Sequence, residues 1–137
     1  MKPTFAGRFY SHEVLPPSFS GTSGRIVNIS SLAGIAPGGS SIAYAASKAA
    51  LIHLTHCLAV ALAPDVTVNC VAPGMVEGTR MVERVPEAMK QMVRAQSILG
   101  RTASVDDVAQ MVVSYCRADS VTGQTIVVDG GNLLGMR

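Results

Sequence analysis

Residues 25–64 read RIVNISSLAGIAPGGSSIAYAASKAALIHLTHCLAVALAP. The stretch changes character twice. Ile26-Val27-Asn28-Ile29 is a short β-branched run, the composition of a buried strand. Ser30 to Ser41 is rich in Gly and Ser, with Pro37-Gly38-Gly39 at its centre, and reads as a loop. Ala43 to Ala63 predicts a long helix, and Pro64 marks its end.

Working outward, Val66 to Val71 is a second β-branched run, stopped by Pro73-Gly74. Residues 75–100 are mixed, with a short helix around Pro86 to Gln96. Ser104-Val105-Asp106-Asp107 has the form of a capping box. Val105, Val108, Ala109, Val112, Val113 and Cys116 follow at helical spacing. Thr125 to Val128 is a third strand, ended by Asp129-Gly130-Gly131. The order strand, helix, strand, helix, strand, with strands apolar on both faces, predicts an α/β parallel sheet with helices on its faces. The opening differs. Phe5, Phe9, Tyr10 and Phe19 crowd into it with Pro3, Pro16 and Pro17, and it shows no periodicity. Residues 1–23 therefore read as a leader or linker, and 24–137 as the domain.

Composition narrows the function. Of 137 residues, 48% are hydrophobic and 15% charged, against roughly 25% charged in ordinary soluble domains. So little charge predicts much surface buried against something else. The net charge of +2 argues for neither nucleic acid nor an anionic membrane as partner. Cys57, Cys70 and Cys116 are far apart and odd in number, which fits a reducing cytoplasmic setting rather than a disulfide framework. The most apolar stretch, Ala49 to Ala63, is 15 residues long and carries two histidines, short for a membrane span. His53, His56 and Cys57 lie close in sequence, but no third ligand converges on that helix face. No metal is expected, and the histidines read as structural or interfacial.

From Ile26 to Pro64 there are 39 residues and one full charge, Lys48. Burying an unpaired ammonium is costly, so a lone Lys in an apolar helix needs a reason. Tyr44 supplies one, a helical turn earlier on the same face. Proton exchange by a phenol near neutrality requires ~3–4 kcal/mol of stabilisation of its anion. An ammonium at ~5 Å with an effective dielectric of ~20 supplies ~3 kcal/mol. Tyr-x-x-x-Lys alone is common as a packed Tyr beside a solvated Lys. Here Ser30 and Ser31 close a strand, where a parallel sheet presents its ligands, and their loop leads into the Tyr44 helix.

These residues resemble the short-chain dehydrogenase/reductase family. The matching motifs are Gly24 to Gly34, Tyr44 to Leu51, Val68 to Gly74, and Thr122-Gly123-Gln124 with Val128-Asp129-Gly130-Gly131. The resemblance implies a partial doubly wound, Rossmann-like sheet. It implies hydride transfer between NAD or NADP and a small-molecule alcohol/carbonyl pair. Tyr44 would be the general acid/base, and Lys48 would stabilise its ionised form and hold the nicotinamide ribose. Ser31, thirteen residues before Tyr44, would hydrogen-bond the substrate oxygen, with Ser30 the alternative. Pro73, Gly74, Val76 and Thr79 would line the nicotinamide. The family places a Thr five residues after that Pro; Gly78 stands there and Thr79 follows.

The family's first, cofactor-binding half has no counterpart in the sequence. No Gly-x-x-x-Gly-x-Gly or Gly-x-Gly-x-x-Gly turn occurs. The expectation is a fragment with the catalytic half, weak NAD(P) affinity, an open edge on the first strand and a bare Ala-rich helix. The small Ala43, Ala45, Ala46, Ala49 and Ala50 side chains predict close packing on that helix, and the resemblance implies homo-oligomerisation through residues 43–63. The competing reading is a truncated non-catalytic remnant, acting only through dimerisation or inactive. Met75, Met81, Met89 and Met92 read either as an apolar lid over a substrate or as core, Arg101 as structural, and Asp129 as a turn residue.

Overall fold

The structure is a computed structural model describing residues 23–38 and 40–136. The leader expected over 1–23 lies outside the described residues except for Ser23. In chain order the elements are β1 (Gly24–Ile29), a 3-10 turn (Leu32–Gly34), α1 (Ile42–Ala61), β2 (Val66–Pro73), β3 (Val76–Glu77) and α2 (Arg80–Glu83). They continue with α3 (Glu87–Gln96), β4 (Ala103–Ser104), α4 (Val105–Arg117), β5 (Thr125–Val128) and α5 (Asn132–Gly135). β1, β2 and β5 form a parallel sheet in that spatial order, so the α/β architecture is the one predicted. β3 and β4 pair in a separate short parallel ribbon.

β2 is the central strand. Val68, Cys70, Val71 and Ala72 are at 0% exposure, which explains the near-continuous apolar run. Asn69 interrupts that run and is also buried. Its Nδ2 donates to the Val121 carbonyl (2.8 Å), and its Oδ1 accepts from the Gln124 amide (3.0 Å). Val68 N–H donates to Thr122 Oγ1, and Gly123 N–H donates to the Val68 carbonyl. The Thr-Gly-Gln turn is thereby stitched to β2 before β5 begins. Ile26, Val66 and Val68 meet Leu58 and Ala59 of α1, and Leu62 just past its end, in the core. Burying a Val such as Val68 stabilises by about 1.5–3 kcal/mol.

Boundaries and phases differ from expectation in several places. α1 is capped by the Ser41 hydroxyl and ends at Ala61, two residues before the predicted Ala63, where Val66 N–H closes a turn on the Leu62 carbonyl. The Ser104–Asp107 capping box forms as read. The α4 stripe is shifted by about a quarter turn. Val108, Met111, Val112 and Tyr115 are half-buried, whereas Val105, Ala109, Val113 and Cys116 are exposed. α4 contacts β1, β2 and β5. Met81, Met89 and Met92 are exposed, so they are not core. Among the described residues no helix is long and apolar enough to cross a membrane.

The ribbon and α4 are fastened by acidic groups. Glu77 accepts from Thr102 (2.7 Å) and Arg94 (2.8 Å), which hold its carboxyl below the usual range. Asp107 accepts from the Ser104 amide and hydroxyl and from Arg101, with the same result. A carboxyl depressed on folding contributes stability above its unfolded pKa of about 4, lost as pH falls through the folded value. The melting temperature should therefore fall as pH drops below about 4.5, and more gently in a Glu77→Gln, Asp107→Asn variant. Identical acid limbs for the two proteins in pH-dependent melts would contradict this.

Candidate active site at the end of β1

The ladder of β1 carries one step past the strand: Ser30 N–H donates to the Val71 carbonyl (2.8 Å). This holds the Ser30-Ser31 pair at the carboxyl end of the sheet. The two hydroxyls then diverge in role. Ser30 is buried, and its Oγ donates to the Lys48 carbonyl (2.7 Å). Ser31 is half-buried and extended, and its Oγ accepts from Ala33 N–H (3.2 Å) to cap the 3-10 turn. An accepting hydroxyl keeps its proton for another partner. Ser30 has given its own away, so Ser31 is the one equipped to donate to an added oxygen.

The 3-10 turn presses on α1 at Gly34. A Cβ there would lie 2.6 Å from the Lys48 carbonyl carbon, closer than real contacts allow. Gly is therefore required for the turn to sit against this part of the helix. Tyr44 occupies the first turn of α1, its amide held by Ser41 Oγ (3.3 Å). Lys48 follows one turn later. Its Nζ donates to the Ile29 carbonyl (2.9 Å) and lies over the Tyr44 ring, 5.6 Å from the centroid. That distance is within cation–π range. Deeper along α1, Asn28 Nδ2 donates to the buried Thr55 hydroxyl (3.0 Å), which donates to the Leu51 carbonyl. The end of β1 and the inner face of α1 are thus joined by side chains over several turns.

Lys48 and Tyr44 are brought together, and Ser31 caps the 3-10 turn that presses on α1 at Lys48. Pro73 and Gly74 end the neighbouring strand, and Gly74 N–H donates to the Val128 carbonyl (3.0 Å). A Cβ on Gly74 would meet Asp129 Cβ at 2.8 Å, so this Gly serves strand packing. Asp129 accepts from the Gly131 and Leu133 amides (both 2.7 Å), the turn role read from the sequence. Val76 and Thr79 belong to the ribbon side. Val76 pairs with Ala103, and the Thr79 hydroxyl donates to the Val76 carbonyl (2.9 Å). Arg101 pairs with Asp107, as a structural residue would. His53 and His56 are exposed, their rings edge-to-face at 6.2 Å. The roles of Gly34 and Asn69 were missed from sequence, since neither residue type advertises a close approach or a loop clasp.

The donor set suits the nicotinamide-ribose end of a dinucleotide. Among the described residues the Lys48 ammonium has one acceptor, leaving two N–H groups to donate to vicinal hydroxyls. For the pyrophosphate end, the described residues offer no Gly-x-x-x-Gly-x-Gly turn opening a helix.

Known proteins share these features. The family model described as enoyl-(acyl carrier protein) reductase matches residues 7–132, beginning inside the segment read as a leader. The short-chain dehydrogenase/reductase homolog YusR of Bacillus subtilis is 43% identical over 92% of this chain and 96% of its own length. The 3-oxoacyl-[acyl-carrier-protein] reductase FabG of Aquifex aeolicus is 45% identical over 68% of this chain and 38% of its length. The Brucella canis FolM alternative dihydrofolate reductase complexed with NADP superposes with a TM-score of 0.74 and 31% identity, over 90% of this chain and 47% of that one. The chain belongs to the short-chain dehydrogenase/reductase family. It spans less than half the length of those two reductases.

Replacing Gly34 with Ala should cost about 1–3 kcal/mol in urea unfolding, because the added methyl drives the turn off α1. A loss below ~0.5 kcal/mol would show that the turn is not clamped there.

Proposed function

We propose that this chain carries the proton-transfer centre of an NAD(P)-dependent oxidoreductase interconverting an alcohol and a carbonyl. The observation that carries the reading is the Lys48 ammonium, fixed on the Ile29 carbonyl above the Tyr44 ring; the Ser31 hydroxyl, which accepts from Ala33 N–H and so keeps its proton to donate, supports it. In the reductive direction Ser31 donates a hydrogen bond to the substrate oxygen and orients it. Tyr44 Oη gives that oxygen a proton as negative charge develops there, and in oxidation takes it back. Lys48 stabilises the phenolate left behind. NAD(P) supplies or accepts the hydride at the substrate carbon when bound. Its ribose hydroxyls fall to Tyr44 and Lys48, and its nicotinamide to Pro73, Gly74, Val76 and Thr79.

A second reading rests on the outer face of α1. Ile42 (89%), Leu54 (48%) and Val60 (74%) are exposed on a helix whose only full charge points inward. That face supports homo-oligomerisation, and in a non-catalytic remnant it would be the whole function.

Millimolar NAD(H) or NADP(H) should raise the melting temperature. Tyr44→Phe should lower turnover of a carbonyl substrate by about 10²-fold or more, while most of the cofactor-induced shift remains through Lys48. If neither cofactor shifts the melt, the oxidoreductase reading is wrong; if sedimentation then still shows a dimer, the second reading stands.

A further inference from the structure

Ser30 is the polar side chain at this junction that the proposed chemistry leaves without a part. The residue is 4% exposed and its hydroxyl already donates to a carbonyl, so it is not placed to donate to a substrate. The carbonyl is that of Lys48, and the Lys48 ammonium returns to the carbonyl of Ile29, the residue before Ser30. The two bonds close a ring. The strand end grips the backbone of Lys48 through Ser30, and Lys48 grips the strand end through its side chain. Gly34 touches the Lys48–Ala49 peptide from the same loop, a third point of contact.

We infer that Ser30 is a positioning residue for Lys48, fixing the helix turn from which the ammonium reaches the Ile29 carbonyl and the Tyr44 ring. The inference rests on the oxidoreductase reading only for its consequence in turnover; the positioning itself is a property of the folded chain. The Lys side chain has four rotatable carbons and a mobile point charge. Its ammonium holds one place only if its Cα does. Without the Ser30 bond, the side chain alone ties this turn to β1, and the ammonium is released to solvent for part of the time. Misplacement by ~1 Å weakens catalysis far more than binding.

Competitive acetylation with trace acetic anhydride, read by mass spectrometry, tests this directly. The chain has three lysines, Lys2, Lys48 and Lys90. Lys90 lies on α3 beside Glu87 and serves as the internal reference, so a general loosening moves both and leaves the ratio unchanged. In Ser30→Ala the Lys48/Lys90 labelling ratio should rise about threefold or more, the scale of one lost hydrogen bond. Ser30→Cys preserves the volume with a weaker donor and should give a smaller rise in the same direction. It also decides the matter should Ser30→Ala fail to fold. An unchanged ratio in either folded variant would overturn the inference. With a carbonyl substrate and NAD(P)H, the same variants should lower kcat several-fold at nearly constant KM. If the unsubstituted protein shows no turnover, the oxidoreductase reading fails while the labelling ratio still judges Ser30.

Discussion

One cation in a helix otherwise without full charge organises this molecule. Lys48 is held by its backbone carbonyl, its ammonium and the peptide behind it, and all three contacts come from the strand end or the loop beyond it. Lys48 is half-buried, and its ammonium meets acceptors at the exposed end of the junction. These are main-chain oxygen and an aromatic face rather than a carboxylate. A carboxylate would neutralise the charge and fix its hydrogens. A carbonyl and a ring hold it in place while leaving positive charge and two N–H groups available.

The remaining sheet serves that junction. β2 lies buried between β1 and β5, and its Asn69 ties the turn ahead of β5 to the sheet. β1 therefore lies against a rigid neighbour, and the Ser30-Ser31 pair at its end inherits that fixed position. α1 has two faces with separate duties. The inner one carries Tyr44, Lys48, Thr55 and Ala59 toward β1 and β2. The outer one carries Ile42, Leu54 and Val60 into the open. A helix that is apolar all round is ordinarily covered all round. The exposed apolar residues of that outer face belong to the same charge-poor stretch that first marked the sequence.

Much of this was legible beforehand, and for identifiable reasons. The parallel sheet followed from β-branched runs separated by a helix-length apolar stretch, since period and composition report burial directly. Tyr44 and Lys48 followed from an isolated charge. Less legible were contacts made by unremarkable residues. Gly34 looks like loop punctuation until its distance to the Lys48 backbone is known. Ser30 and Ser31 are identical in type; spacing from Tyr44 favoured Ser31, and the direction of their hydrogen bonds gives the physical difference between them. The α4 stripe was read with the right period and the wrong phase, because two overlapping apolar rows run along that helix and the sheet selects between them. The methionines of α2 and α3 were open to two readings, lid or core, and their exposure removes the core one.

The central claim is that the Lys48 ammonium resides over the Tyr44 ring. A carbon-edited NOESY spectrum of protein labelled at lysine and tyrosine measures this without cofactor or substrate. The account predicts cross-peaks between the Lys48 ε-methylene and the Tyr44 ring protons, with the ε-protons shifted upfield by the ring current. Random-coil shifts for Lys48 with no cross-peak to Tyr44, in protein otherwise folded, would contradict it.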